Sequence, residues 1–116
     1  MSQRVPATVH VALLWHMHQP SYRDPLSGEF AMPWVRLHAL KDYYGMVRIL
    51  GETPAVKATF NLVPSLLDQV LAYAEGEARE PVLLVCEREA AQLTEDDKLL
   101  ALRALFMAHP QTYWEG

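Results

Sequence analysis

The chain is short of cysteine, of excess positive charge and of long apolar runs, and each shortage excludes a class of protein. Its single cysteine, Cys86, cannot form an intramolecular disulfide, which predicts a reducing compartment such as the cytoplasm. A formal net charge of −4 argues against a nucleic-acid partner, which requires a basic surface. No apolar stretch approaches the roughly 18 residues of a membrane span, so no membrane partner is expected. The N-terminal segment Met1–Pro6 is not followed by the pattern of a signal peptide.

The length of the chain limits what it can be. A chain of 116 residues suits one small domain that buries a core. A complete α/β barrel needs roughly 200 residues or more. If the chain belongs to a barrel enzyme, we therefore expect it to be one piece of that barrel.

Two histidines follow the first apolar run of the sequence. The run Val9–Leu14 continues into the segment WHMHQP at residues 15–20. In an extended backbone, residues two apart project to the same side, so the side chains of His16 and His18 should share one surface. Pro20 cannot donate to a sheet and disfavours helix at Gln19, so the strand should end here. Polar groups at the carboxyl end of a buried strand are typical of a site on a β/α scaffold.

The strand pattern predicts a parallel sheet. Val9–Trp15 is apolar at nearly every position, as in a strand that is buried on both faces. The next candidate, Val56–Asn61, lies some forty residues further on, with a helical pattern between the two. That separation favours a crossover between parallel strands over a hairpin. The loop from Met17 to Pro33 is long for a compact domain, and loops of this length are usually functional or disordered.

Helical patterns follow each predicted strand. Apolar residues recur at helical spacing from Leu37 to Leu50, and Gly51 is expected to end this helix. Pro64 suits the first position of the next helix, which Gly76 ends. Thr94, followed by three acids, suits the N-cap of a last helix. The expected buried stripe of that helix consists of Leu99, Leu102, Leu105 and Phe106.

Several blocks of the sequence are specific as an ordered set. They are WHMHQP (15–20), Tyr22, PWVRLH (33–38), KDYY (41–44) and TFNLVPSLL (59–67). In this order they resemble the N-terminal region of the family 57 glycoside hydrolases, which include α-amylases, amylopullulanases, branching enzymes and 4-α-glucanotransferases. The resemblance runs from about His10 to the segment Phe106–Ala108.

The resemblance implies a fold. Family members are built on an incomplete (β/α)7 barrel, so residues 1–116 are expected to be an N-terminal fragment of such a catalytic domain. The fold class would be α/β, in the order β-α-β-α-α-α, with helices inserted after the second strand. Val82–Cys86 alone would suit a strand, but the resemblance predicts a helix over Pro81–Glu89. The expected protein partner is the remainder of the barrel or another subunit.

The resemblance also implies that this chain binds substrate but does not supply the catalytic carboxyl groups. Retaining glycosidases use two carboxyl groups about 5–5.5 Å apart, and in this family a Glu and an Asp from later strands serve these roles. Neither motif is present in the sequence, so no catalytic residue is expected in this chain. We expect it to position an α-glucan substrate, without a cofactor or a metal ion. An acidic protein suits a neutral ligand of this kind.

The histidine motif supplies the first candidate binding residues. The resemblance implies that His18 lies in the active site and that His16 matches the histidine two positions earlier. Gln19 belongs to the same motif. The competing interpretation is that either histidine is a core residue with a backbone partner, although two histidines at a strand end favour a site.

Three further candidates lie downstream. Tyr22 and Trp34 could stack on sugar rings, or they could simply pack the long loop. Asn61, at the end of the second strand, should point toward the same mouth, or it could shape the turn before the next helix. His38 is a reserve candidate and is more typical of a structural role.

Two alternatives to glucan processing remain open from the sequence. The first is a metal-dependent hydrolase of the amidohydrolase type, because a His-x-His pair at the end of a first barrel strand can hold zinc. The second is a non-catalytic protein that binds glucan or docks on another subunit. In that case its open strand edges would favour self-association.

Overall fold

A computed structural model describes residues 8–107 of the chain. The segment Met1–Pro6 and the residues from Ala108 onward lie outside this range. The elements, in chain order, are β1 (Leu13–Met17), α1 (Trp34–His38), a π-helical segment (Ala39–Tyr43), α2 (Tyr44–Glu52), β2 (Ala58–Leu62), α3 (Pro64–Ala74), α4 (Pro81–Cys86), a 3-10 turn (Ala90–Gln92) and α5 (Glu95–Leu105).

The two strands form a parallel sheet, as the sequence predicts. β1 pairs with β2, and His16 lies directly opposite Asn61 in the register. The chain crosses from β1 to β2 through the helical segment between them, so the expected α/β class and element order are confirmed. A complete barrel stays a prediction.

The first strand is shorter than predicted. The apolar run predicts a start near Val9 and Pro20 predicts an end near Gln19, but β1 begins at Leu13 and ends at Met17. Pairing explains the difference, because the register with β2 covers only five positions, from Leu13 to Met17. An apolar run marks residues that favour a strand, whereas the strand itself extends only as far as its hydrogen-bonded partner.

The expectation that β1 is buried on both faces is wrong. One face carries Trp15 and Met17; Trp15 contacts Phe60 edge-to-face, with ring centroids 5.1 Å apart, and Met17 is part of the core. On the opposite face Leu14 is 65% exposed. The physical reason is that, within residues 8–107, the helices that pack on the sheet cover only the face of Met17.

The core lies beneath the carboxyl ends of the strands. Met17 of β1, Val35 of α1 and Leu66 of α3 form one buried cluster. A second cluster is centred on Phe30, at the end of the long loop, and on Ala72 of α3. Both clusters anchor the loop between β1 and α1 onto α3. The buried side of the loop is therefore held against α3.

Local sequence signals set the helix starts. Pro64 opens α3, as predicted. Thr94 caps α5 in a capping box with Asp97. Helix α4 begins at Pro81, and the carboxylate of Glu80 accepts a hydrogen bond from the backbone N–H of Leu83. The helix expected here is confirmed over Pro81–Cys86, because this cap and the proline favour a helical start.

The stripe expected to be buried on α5 is exposed instead. The exposed fractions of its members lie between 45% for Leu99 and 84% for Phe106. Helical spacing correctly gathers these residues on one face. Within residues 8–107, however, α5 packs mainly on α4, and this leaves the apolar face uncovered.

The helix after the loop contains an irregular turn. From Trp34 to Glu52 the chain is helical, but the segment Ala39–Tyr43 is π-helical. Its signature is the N–H of Tyr44, which donates to the carbonyl of Ala39, five residues earlier. The helix ends at Glu52, one residue beyond the predicted stop at Gly51.

Candidate functional site

The two histidines of the motif lie side by side. The rings of His16 and His18 are stacked, with centroids 5.8 Å apart and an angle of 19° between their planes. His16 lies in β1 and His18 follows the strand directly. Both are exposed. The pair stands at the carboxyl end of the sheet, on the face opposite Met17, which agrees with the expected alternation of side chains along an extended chain.

Asn61, on the neighbouring strand β2, is hydrogen-bonded to one histidine of this pair. Its Oδ1 lies 3.1 Å from Nδ1 of His16. An amide oxygen only accepts, so Nδ1 is the donor in this contact, and in the neutral tautomer Nε2 of the same ring is an acceptor. Asn61 occupies this position because the parallel register places it opposite His16. Asn61 therefore lies beside His16 at the carboxyl end of the sheet, and its place at the mouth of a barrel stays a prediction.

Gln19 and Tyr22 belong to a hydrogen-bond chain beside the histidines. The hydroxyl of Tyr22 donates to Oε1 of Gln19 at 3.1 Å. Nε2 of Gln19 donates to the hydroxyl of Tyr43 at 3.0 Å, and this hydroxyl donates to the backbone carbonyl of His18 at 3.2 Å. Gln19 is buried, whereas Tyr22 is half-buried. Both polar ends of the Gln19 side chain are therefore engaged within the protein.

Helix α3 holds the same loop from below. Gln69 is only 1% exposed; its Oε1 accepts from the N–H of Tyr22 at 2.9 Å, and its Nε2 donates to the carbonyls of Pro20 and Ser65. The hydroxyl of Ser65 donates to the carbonyl of Gln19 at 2.8 Å. Gln69, Ser65 and Tyr43 were not predicted from the sequence. A signal was present, since Gln69 interrupts the apolar face of α3 three residues after Leu66.

Trp34 and His38 are less closely connected to this group. Trp34 opens α1 and is half-buried. Within residues 8–107 it makes none of the hydrogen bonds or ring contacts that join the other five candidates. His38 pairs with Asp42, one helical turn later, with 2.6 Å between Nδ1 and Oδ2. This supports a structural role for His38.

A buried ion pair lies under the loop. Nε and Nη2 of Arg36 donate to Oε2 of Glu80 at 2.8 and 2.7 Å, and the Glu80 side chain is fully buried. Burial, and then the nearby charge of Glu80, raise the pKa of Tyr73 to about 12. The hydroxyl of Tyr73 is buried and has no hydrogen-bond partner among the described residues.

The acids of the long loop have structural partners. Oδ1 of Asp24 accepts from the backbone N–H groups of Leu26 and Ser27, and these hydrogen bonds lower the pKa of the Asp24 carboxyl. Glu29 lies 3.9 Å from the exposed Arg79. The Asp24 carboxylate therefore stabilises the turn, which ends at Gly28 with a positive φ of 74°.

The exposed side chains of the site are hydrogen-bonding groups. Its exposed groups are imidazole nitrogens and an amide, which suit sugar hydroxyls. Within residues 8–107, no group of three or more His, Cys, Asp or Glu side chains is arranged to hold a metal ion. In the same range, no helix is long and apolar enough to cross a membrane.

Fold and site together define a class of protein. Polar side chains at the carboxyl ends of parallel strands that are joined by a helical crossover are the arrangement of β/α enzyme scaffolds. Residues 12–114 match the model of glycosyl hydrolase family 57, so the chain belongs to this family. No curated protein matches the chain, and no solved structure matches it. Membership implies activity on glucans by hydrolysis or transfer.

Proposed function

We propose that this chain binds and positions an α-glucan for a retaining hydrolase or glycosyl-transferring enzyme, while the catalytic Glu and Asp are supplied outside it. The observation that carries the proposal is the exposed, stacked pair of His16 and His18 beside Asn61. The substrate-binding set consists of His16, His18, Gln19, Tyr22, Trp34 and Asn61.

The chemistry of the pair supports this role. Neutral imidazoles both donate to and accept from hydroxyl groups, and Nε2 of His16 is left as an acceptor by the contact with Asn61. Two parallel rings 5.8 Å apart can contact successive hydroxyls of one sugar. Gln19 has its polar ends occupied by Tyr22 and Tyr43. The contribution of Gln19 is therefore to hold the loop in place. Tyr22 is only half-buried, and its exposed part can contact the sugar.

The orientation of the pair supports the barrel. His16 projects from the sheet face that the helices do not cover, and Leu14 on that face is exposed. In a β/α barrel the helices lie outside and the opposite face of each strand points inward. We propose that further strands of the incomplete (β/α)7 barrel cover this face and place the histidines inside the mouth.

The proposal is tested by saccharide binding. Maltoheptaose titrated into the chain should bind, and His18→Ala or His16→Ala should weaken binding about five- to tenfold, the equivalent of one lost hydrogen bond. The matched control is His10→Ala, because His10 is also exposed but precedes β1. Calorimetry gives the affinity, and circular dichroism checks the fold of each variant.

Three outcomes would count against the proposal. Equal binding by the wild type and both histidine variants would remove the pair from the site. Robust turnover of soluble starch by this chain alone would contradict the proposal that the catalytic Glu and Asp lie outside it. Stoichiometric zinc binding that requires both histidines would favour the amidohydrolase alternative.

The proposed partner is the rest of the barrel. Apolar side chains of β1, α2 and α5 are exposed, among them Leu14, Val47 and Leu102, and a parallel sheet is ordinarily covered on both faces. The chain alone should therefore self-associate in light scattering. A clean, stable monomer would contradict this assignment. We propose a reducing compartment, the cytoplasm, and the exposed free thiol of Cys86 supports this proposal.

A further inference from the structure

The loop segment that carries the candidate site is held by side chains rather than by a neighbouring strand. The carbonyls of His18, Gln19 and Pro20 each accept a hydrogen bond from a side chain. The N–H of Tyr22 donates to a side chain as well. Pro20 has no N–H to donate. These four backbone groups are therefore all paired with side chains from outside the segment.

The donors come from two elements that are distant in sequence. Tyr43, at the end of the π-helical segment, lies 25 residues after His18, and Gln69 of α3 lies 49 residues after Pro20. Both side chains bridge two groups. Tyr43 bonds to the His18 carbonyl and to the Gln19 amide, whereas Gln69 bonds to Pro20 and Tyr22.

We propose that Tyr43 and Gln69 are positioning residues: Tyr43 sets the backbone at His18 and Gln69 sets it at Tyr22, and each thereby sets the direction in which that side chain meets a glucan. The inference rests on the proposed function. Neither residue needs to touch the substrate: Gln69 is 1% exposed, and its three hydrogen bonds all go to backbone groups.

Burial makes this arrangement specific. A buried amide that loses its partners carries a desolvation penalty, so Gln69 favours the single loop conformation in which all of its bonds form. His18 gains no such restraint from a ladder, because the strand pairing ends at Met17. Beside its stacking on His16, the ring of His18 is therefore directed by the Tyr43 hydroxyl that holds its carbonyl.

The main test is the variant Tyr43→Phe, which keeps the ring and removes only the hydroxyl. The matched control is Tyr44→Phe, at the next position, where the ring is exposed. Tyr43→Phe should weaken maltoheptaose binding about fivefold, and Tyr44→Phe should leave it unchanged. In a His18→Ala background, Tyr43→Phe should have little further effect, because its influence passes through His18.

A second test does not depend on saccharide binding. In NMR spectra of the chain without ligand, the ring signals of His18 should shift in Tyr43→Phe and stay in place in Tyr44→Phe. In Gln69→Met, the amide of Tyr22 should exchange with solvent at least about tenfold faster. The amide of Phe30, which donates to the carbonyl of Arg79, should keep its protection.

The outcomes separate this inference from the proposed function. If Tyr43→Phe weakens binding equally in the wild-type and His18→Ala backgrounds, its effect is general and the positioning role is overturned. Unchanged binding would overturn it as well. If the wild-type chain binds no maltoheptaose, the proposed function fails, and the NMR measurement alone tests the positioning role. Shifted His18 signals in Tyr43→Phe would then support that role, and unchanged signals would overturn it.

Discussion

The buried pair of Arg36 and Glu80 allows a sharp prediction about stability. The carboxylate of Glu80 is fully buried, and it is engaged at both oxygens: Oε2 accepts two hydrogen bonds from Arg36, and Oε1 accepts from the N–H of Leu83 at 3.1 Å. Replacing Arg36 by methionine fills the space but leaves a buried charge without its partner. Removal of one partner of such a pair costs about 3–5 kcal/mol.

Two further variants test whether the loss of stability comes from the unpaired buried charge of Glu80. Arg36→Lys keeps the charge but loses the second donor and the planar geometry, so we expect a loss of about 1.5 kcal/mol. The double variant Arg36→Met with Glu80→Met removes both charges. It should cost only about 1 kcal/mol, the contribution of the lost cap on α4. The double variant should therefore be more stable than Arg36→Met alone.

The measurement is urea denaturation followed by circular dichroism. The matched control is Arg48→Met, because Arg48 pairs with Glu52 at 3.0 Å on the exposed side of α2. Exposed pairs of this kind contribute well under about 1 kcal/mol. If Arg36→Met were no more destabilising than Arg48→Met, or if the double variant were the least stable of all, the reasoning from burial would be refuted.

Three further predictions concern single groups. Because burial and the charge of Glu80 raise the pKa of Tyr73 from 10.0 to about 12, the unfolded chain releases this proton first, so stability should fall as the pH rises from 10 toward 12. Tyr73→Phe should flatten that alkaline loss in denaturation curves, and an unchanged curve would contradict it. Thr94→Ala should cost about 1 kcal/mol. Hydrogen bonds from Thr94 lower the pKa of Asp97, whose contribution is lost as the pH falls below 3.8, so the variant should show a weaker acid dependence. Gly28→Ala should lower the melting temperature at a cost of about 1 kcal/mol, since φ is 74° there; an unchanged melting temperature would refute the strain.

Local chemistry was sufficient to predict much of the fold. Pro64 and Thr94 begin helices because their preferences are properties of the residue and its immediate neighbours. The parallel pairing followed from the length of chain between two apolar runs. The alternation of side chains along a strand correctly predicted that His16 and His18 share one side of the sheet. Their role in binding stays a prediction.

Burial and long-range hydrogen bonds could not be predicted in the same way. Helical spacing shows which face of α5 is apolar, but it does not show whether another element covers Leu102 or Phe106. Likewise, the partners of Tyr43 and Gln69 in the loop lie 24 to 49 residues away in sequence. Only the polar identity of Gln69 within an apolar face pointed to a buried network.

The π-helical segment makes the site sensitive to the number of residues in the helix that follows the loop. An α-helix turns by roughly 100° per residue, and the i, i+5 bond from Tyr44 to Ala39 accommodates one residue more than a regular turn. Deleting a single residue between Ala39 and Lys41 would restore regular winding and swing the Tyr43 hydroxyl about a quarter turn away from the His18 carbonyl. A deletion that removes no candidate binding residue would thus misalign the histidine pair.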